Sequence, residues 1–279
     1  MNYVLESFGT TPLPQHNGQH DVGTGNARTP STDLNSGGSF DLYGLERAPL
    51  DPLTITVRGF VMGATTAELR AASNQLRARI GEKDKLWRLW DSGEREWTWA
   101  RLQTMPATRA VAPRPEPALA FLLYHPVWYA ETPELLRFTD LHDVAGDGLL
   151  LMGVEGVTPG SAAATTWVNQ GNYPTSDVRI TLVAGGTGTV TGLTITNTTT
   201  GYTLTWAGSL TTGQVLVIDT GALSVTKQGA GVYSEFTPPA NHSGWMELAP
   251  GANNVQITIT DTAVDDSTSF VAEYFSVFS

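Results

Sequence analysis

The chain has 279 residues, 27 acidic against 16 basic side chains, a net charge of -11 and no cysteine. A net charge of that sign repels nucleic acid and anionic lipid, and no stretch clusters enough Lys and Arg to reverse it, so neither is expected as a partner. Without cysteine there is no disulfide framework, thiolate nucleophile or Cys-ligated zinc, and stability must come from apolar cores or assembly.

Splitting the charges at residue 150 gives 14 basic and 18 acidic residues before it and 2 basic and 9 acidic after it, or -4 and -7. The two parts differ in kind, and each is long enough to bury its own core. The start, Met1 to Phe8, lacks a basic region followed by an apolar one, and no run reaches about 18 apolar residues, so neither a signal peptide nor a membrane span is expected.

Residues 12 to 39 are rich in Gly, Pro, Asn, Ser and Thr, which predicts a long loop or arm. Leu53 to Val61 alternates apolar and polar residues as a half-buried strand does. A helix is expected over Thr65 to Ile80, with Thr65 and Glu68 as a capping box, Leu69, Ala72, Leu76 and Ile80 as the apolar stripe, and Gly81 as the stop. Its other side carries Arg70, Asn74, Arg77 and Lys83, a face expected to be solvated.

Leu86 to Trp90 and Arg95 to Leu102, joined by Asp91-Ser92-Gly93-Glu94, predict a hairpin. Its tryptophans, Trp87, Trp90, Trp97 and Trp99, could stack sugars, but Trp97 and Trp99 share one sheet face by their spacing, where core packing is the ordinary cause. Ala118 to Tyr124 reads as a strand ended by His125-Pro126.

Residues 139 to 163 turn acidic, Gly-rich and then small, with a short strand at Leu149 to Met152, and the domain boundary is set there: 1–150 and 151–279. Beyond residue 165, short alternating runs between Gly, Asn and Pro predict an antiparallel β-sandwich without helix. The strands expected are Val178–Val183, Val190–Asn197, Tyr202–Ala207, Val215–Asp219, Leu223–Lys227, Trp245–Leu248, Asn254–Asp261 and Phe270–Phe278.

Chemistry-bearing constellations are weak. His16, His20 and Asp21 lie in a segment read as loop, where a helical ligand spacing does not help, and Asp261, Asp265 and Asp266 lack the alternation and glycine of a calcium loop. Ser36-Gly37-Gly38-Ser39 and Asn241-His242-Ser243-Gly244 do not match a nucleophile elbow. Gly185-Gly186-Thr187-Gly188, between two β-runs, reads as a hairpin turn and not a phosphate loop. No catalytic residue, cofactor or metal is expected, and the chain is read as a non-enzyme.

A resemblance adds to this. Asn169-Gln170-Gly171-Asn172-Tyr173-Pro174-Thr175, then Ile195-Thr196-Asn197 with Thr200-Gly201, then Gly213-Gln214-Val215-Leu216-Val217-Ile218-Asp219-Thr220, then Leu248-Ala249-Pro250-Gly251-Ala252-Asn253 resemble, in order and spacing, the C-terminal domain of siphophage distal tail proteins. Gln214 stands where that family often has an acid. The strand, helix, Trp-rich hairpin and Tyr124 to Tyr129 of the first part are similar as well. The same residues have plain physical roles: Gly171 and Pro174 would direct the chain into an edge strand, Gly213 and Gly251 would take positive φ, and Asn253 would bond its own turn.

The resemblance implies a mainly β protein, with an N-terminal β domain packing one helix and a C-terminal galectin-like sandwich. It further implies a virion protein, made in the host cytoplasm, that forms a homo-hexameric ring at the tip of a long non-contractile tail. There it would join the tail tube to the baseplate hub, or tail-associated protein, and to receptor-binding or side-fibre proteins. At 279 residues there is no room for the carbohydrate-binding insert many members carry. The competing readings are a carbohydrate-binding sandwich presenting Tyr202, Trp206, Tyr233 and Trp245, and a hydrolase using a carboxylate pair such as Glu94 and Glu96.

Overall fold

A computed structural model describes residues 3–13, 20–21, 52–58, 71, 74–104, 118–138, 141–143, 149–151, 163–186, 188–240, 242, 244–261 and 268–279. Two compact units emerge, Met1–Glu131 with Ser279, and Thr132–Phe278. The division thus falls ahead of the boundary expected at 150. The cause is a strand the sequence reading did not single out, Glu134–Phe138, which pairs along its whole length with Ser269–Tyr274 and so belongs to the second unit.

In the first unit the strands are β1 (Tyr3–Phe8), β2 (Thr11–Pro12), β3 (His20–Asp21), β4 (Leu53–Arg58), β5 (Lys83–Trp90), β6 (Arg95–Thr104), β7 (Ala118–Leu123) and β8 (Trp128–Ala130). Their antiparallel order is β2-β1-β5-β6-β7-β4-β3, with β8 on β6. The expected hairpin is β5–β6, with the register Trp87↔Trp97, Arg88↔Glu96 and Leu86↔Thr98. One face packs Leu5, Phe8, Ile55, Leu86, Leu102 and Phe121.

Helical residues 71 and 74–78 lie in the predicted helix, and Leu76 is buried in the core. Ile80, predicted to continue the stripe, is 43% exposed, because the chain turns from residue 79 and leaves the helical phase. Gly81, at φ 88°, makes that turn and donates its N–H to the Leu102 carbonyl at 2.8 Å. Arg79 then reaches back to the Phe8 carbonyl at 2.6 Å and to Glu82, tying the helix end to the β1–β2 turn.

The second unit contains β9 (Glu134–Phe138), β10 (Leu141–Asp143), β11 (Leu149–Leu151), β12 (Ala163–Asn169), β13 (Val178–Val183), β14 (Thr189–Asn197), β15 (Tyr202–Thr211), β16 (Val215–Asp219), β17 (Ser224–Lys227), β18 (Ala230–Gly231), β19 (Phe236–Thr237), β20 (Gly251–Asp261), β21 (Ser269–Tyr274) and β22 (Val277–Phe278). Sheet β12-β20-β14-β15-β19 and sheet β18-β17-β16-β13-β21-β9 bury a common cluster that includes Trp167, Ile180, Leu182, Ile195, Leu204, Trp206, Ile218, Ile257 and Phe270. β10 and β11 form a separate pair.

Alternation explains the sandwich: β15 runs buried–exposed through Tyr202, Leu204 and Trp206, as a strand with one face in the core must. Three expectations need correction. Gly185 to Gly188 is no hairpin turn, because β13 and β14 lie in different sheets and the segment crosses between them. Trp245–Leu248 forms no strand; only Leu248 makes a bridge, to Thr175. The segment after Pro174 enters β13, an interior strand between β16 and β21 and not an edge.

Candidate assembly surface

The face of the first sheet opposite its core carries an aromatic and cationic stripe. Period-2 alternation sends Leu86 and Arg88 of β5, and Glu96, Thr98, Ala100 and Leu102 of β6, to the buried side. Lys83, Lys85 and Trp87 of β5, and Trp97, Trp99 and Arg101 of β6, therefore share the other face. Trp97 stacks on Tyr129 with centroids 4.5 Å apart and meets Trp99 edge-on at 5.6 Å.

Cations cover these rings. The Lys85 ammonium sits 3.8 Å from the Trp97 centroid, that of Lys83 sits 4.9 Å from Trp99, and the Arg101 guanidinium lies 5.6 Å from Tyr124. Trp99 and Tyr124 are 40% and 48% exposed. Core packing accounts for Trp97, which is buried, but not for Trp99, which shares its face yet stays open. A neutral sugar would have to displace lysines from both indole faces, whereas an anion could bind the ammonium groups where they already stand.

At the other end of the stripe, Arg95 donates to Glu6 at 2.9 and 2.7 Å and pairs with Glu131. The hydrogen bond from Arg95 to Glu6 is the main reason its guanidinium holds its proton more tightly than usual. Such half-exposed pairs contribute about 0–1 kcal/mol each.

On the buried side, Arg88 pairs with Glu96 across β5–β6, its Nε 2.6 Å from the Glu96 carboxylate. The guanidinium also lies over Trp128, Trp90 and Tyr3, at 4.0, 4.7 and 5.1 Å. Burial pushes Arg88 below the ordinary arginine range, and Glu96 and Tyr3 oppose that shift. Glu96 is thus committed to a structural ion pair, while Glu94 is exposed in the turn, so the two do not face one another across a cleft. The Glu94–Glu96 pair therefore lacks the geometry a hydrolase needs.

Tyr202 and Trp206, two of the four aromatics expected to present a sugar face, are 7% and 0% exposed within the sandwich core. Trp206 donates its indole N–H to Glu235 at 3.0 Å, and Tyr202 stacks on His242. Tyr233, 56% exposed, and Trp245 meet edge-on at 6.4 Å. Core alternation on β15 consumed the other two rings.

His20 and Asp21 lie in a short strand, paired with Val57 and Thr56, and not in a loop; His16 lies outside the described residues. Asp261 ends β20, and Asp265 and Asp266 are outside the described residues, as is Ser36 to Ser39. Among the described residues no group of three His, Cys, Asp or Glu side chains could hold a metal ion.

The motif residues of the second unit build a buried polar lattice. Asn253, fully buried, donates to the carbonyls of Ala249 at 2.8 Å and Gly251 at 3.1 Å and accepts from the Ala249 N–H at 2.9 Å. Asn197 donates to the Glu247 carbonyl at 2.8 Å and to the Asn253 carbonyl oxygen at 3.2 Å. Asn169 donates to the Tyr173 carbonyl at 2.8 Å and accepts from Gly171 N–H at 3.0 Å. Three asparagines thereby hold the strandless segments 170–175 and 245–250 in place, supplying bonds those backbones cannot get from a sheet. Gly171 is required by space: a Cβ there would lie 1.8 Å from the Val277 carbonyl oxygen. Gly213 and Gly251 take φ of 77° and 86°, as their turns require.

Residues 170–274 match the family model described as siphovirus-type tail component, C-terminal domain. Among solved structures, the crystal structure of the SPP1 Dit (gp 19.1) protein, titled a paradigm of hub adsorption apparatus in phages infecting Gram-positive hosts, is 14% identical. It covers 100% of this chain and 94% of its own, with a TM-score of 0.53. Two structures of the phage P2 baseplate in its activated conformation, with Ca and with Sr, are 10% and 9% identical, each over 98% of this chain and 91% and 90% of their own, with TM-scores of 0.38 and 0.37. No curated protein matches the chain.

The second unit of this β chain, whose motif residues serve the fold, carries a stretch that matches the siphovirus-type tail component C-terminal domain. The domain match covers residues 170–274 alone, and over the whole chain the likeness to the SPP1 Dit protein is one of fold.

Proposed function

We propose that the chain is the ring-forming scaffold of the distal tail, six copies of which join the tail tube to the baseplate hub and receptor-binding proteins. The match of residues 170–274 to the tail component domain carries this reading. The first unit supplies the ring, and the second, a galectin-like sandwich, meets other baseplate proteins. In support, the first sheet presents exposed Lys83, Trp99 and Arg101 on one face, which suits a neighbour, and a ring needs heterologous contacts that close by rotation. The scaffold is a virion component, translated in the host cytoplasm, with neither cofactor nor catalytic centre. Cross-linking mass spectrometry on intact virions tests it: links from this chain to itself, to the tube and to the hub are expected, and links confined to capsid proteins would overturn it.

A further inference from the structure

We propose that the β5–β6 hairpin is a head-to-tail self-association element, in which the acidic turn of one copy docks on the cationic aromatic face of the next. This rests on the ring reading only for closure; the contact itself is argued from the hairpin. Lys83 and Arg101 stand directly opposite one another in register, and like charges so placed destabilise a sheet. Lys83, Lys85 and Arg101 have no carboxylate partner among the described residues; they rest on rings instead. That arrangement, in a chain with 11 surplus negative charges, leaves a cationic site waiting for carboxylates.

The same hairpin carries the complement. Asp91 and Glu94 are exposed in its turn, and neither makes an ion pair among the described residues. Lys85 and Asp91 are six residue steps apart, roughly 20 Å at 3.3 Å per step, so a hairpin cannot neutralise itself. A second copy can, turn to face. Because donor and acceptor sites differ, the contact is heterologous and propagates around a ring. Over the indoles a carboxylate–ammonium pair would be partly shielded from water, which strengthens it beyond an ordinary rim pair.

The test is reciprocal charge exchange in the full chain, read by light-scattering mass and sedimentation. Lys83→Glu with Arg101→Glu is expected to weaken self-association roughly hundredfold, and so is Asp91→Lys with Glu94→Lys, because each puts like charges against like. Far-ultraviolet circular dichroism should remain native for both, since all four side chains face solvent. Mixing the two variants in equal amounts should restore assemblies, since every turn then meets a face of opposite charge. High salt should weaken wild-type association. Rings that survive both exchanges would overturn this contact while leaving the ring reading intact, and failure of the mixture to reassemble would overturn the pairing of turn with face. A wild-type chain that stays monomeric at every concentration would overturn it as well.

Discussion

Replacing Asn253 with alanine should cost the second unit about 3–5 kcal/mol. The side chain is fully buried and makes five hydrogen bonds: to the carbonyls of Ala249, Gly251 and Trp167 and from Ala249 N–H and Asn197 Nδ2. A net hydrogen bond contributes about 1 kcal/mol, and a buried donor left without a partner costs about 1–3 kcal/mol. The variant strands the Ala249 amide and one hydrogen of the Asn197 amide, whose other bond to the Glu247 carbonyl remains, and removes one of the anchors of residues 245–250. Partial entry of water into the vacated space, and the bonds that remain, keep the sum well below simple addition. Because the chain has two units, the assay must see the second alone: urea unfolding followed by amide-exchange mass spectrometry on peptides from β12 and β20. The neighbouring, exposed Asn254→Ala is the control, expected within about 0.5 kcal/mol of wild type. A loss below about 1 kcal/mol for Asn253→Ala would refute the lattice argument.

Three further outcomes are expected. Gly171→Ala should destabilise the second unit by about 1–3 kcal/mol, since its Cβ would sit on the Val277 carbonyl; an unchanged urea midpoint counts against the close approach. Glu96→Gln should cost the first unit about 3–5 kcal/mol by leaving Arg88 buried and unpaired, whereas Arg88→Met with Glu96→Leu should recover most of that; equal losses would mean the pair's charge is not what matters. Asp177 is held above the ordinary carboxylate range by burial first and by Asp219 second. The native state therefore binds more protons than the unfolded one between the two pKa values, and this group's contribution to stability falls as pH rises through that window. Asp177→Asn should then raise the urea midpoint at about pH 7 more than at about pH 3, and a midpoint gain equal at both would contradict the assignment.

Period-2 alternation made most strands legible: Val178–Val183 and Val215–Asp219 match their expected bounds. The hairpin was legible but its register was not: a four-residue turn over Asp91–Glu94 would set Arg88 opposite Trp97, whereas Trp90 bonds Glu94 across a shorter loop and Arg88 stands opposite Glu96. Sheet membership was not legible at Gly185 to Gly188, since a hairpin turn and a crossing between sheets use the same glycine-rich chemistry. Glu134–Phe138 escaped notice because its five residues include two charges and an edge strand needs little apolar alternation. The motif asparagines were singled out by resemblance, and their physical role as backbone anchors required coordinates for three segments distant in sequence.

The central claim is the ring. Negative-stain electron microscopy of the purified chain, paired with its light-scattering mass, tests it most directly: six-fold annular particles of six-chain mass are expected, alone or on addition of tail-tube or hub protein. A monomer that stays monomeric with both partners present would contradict the account.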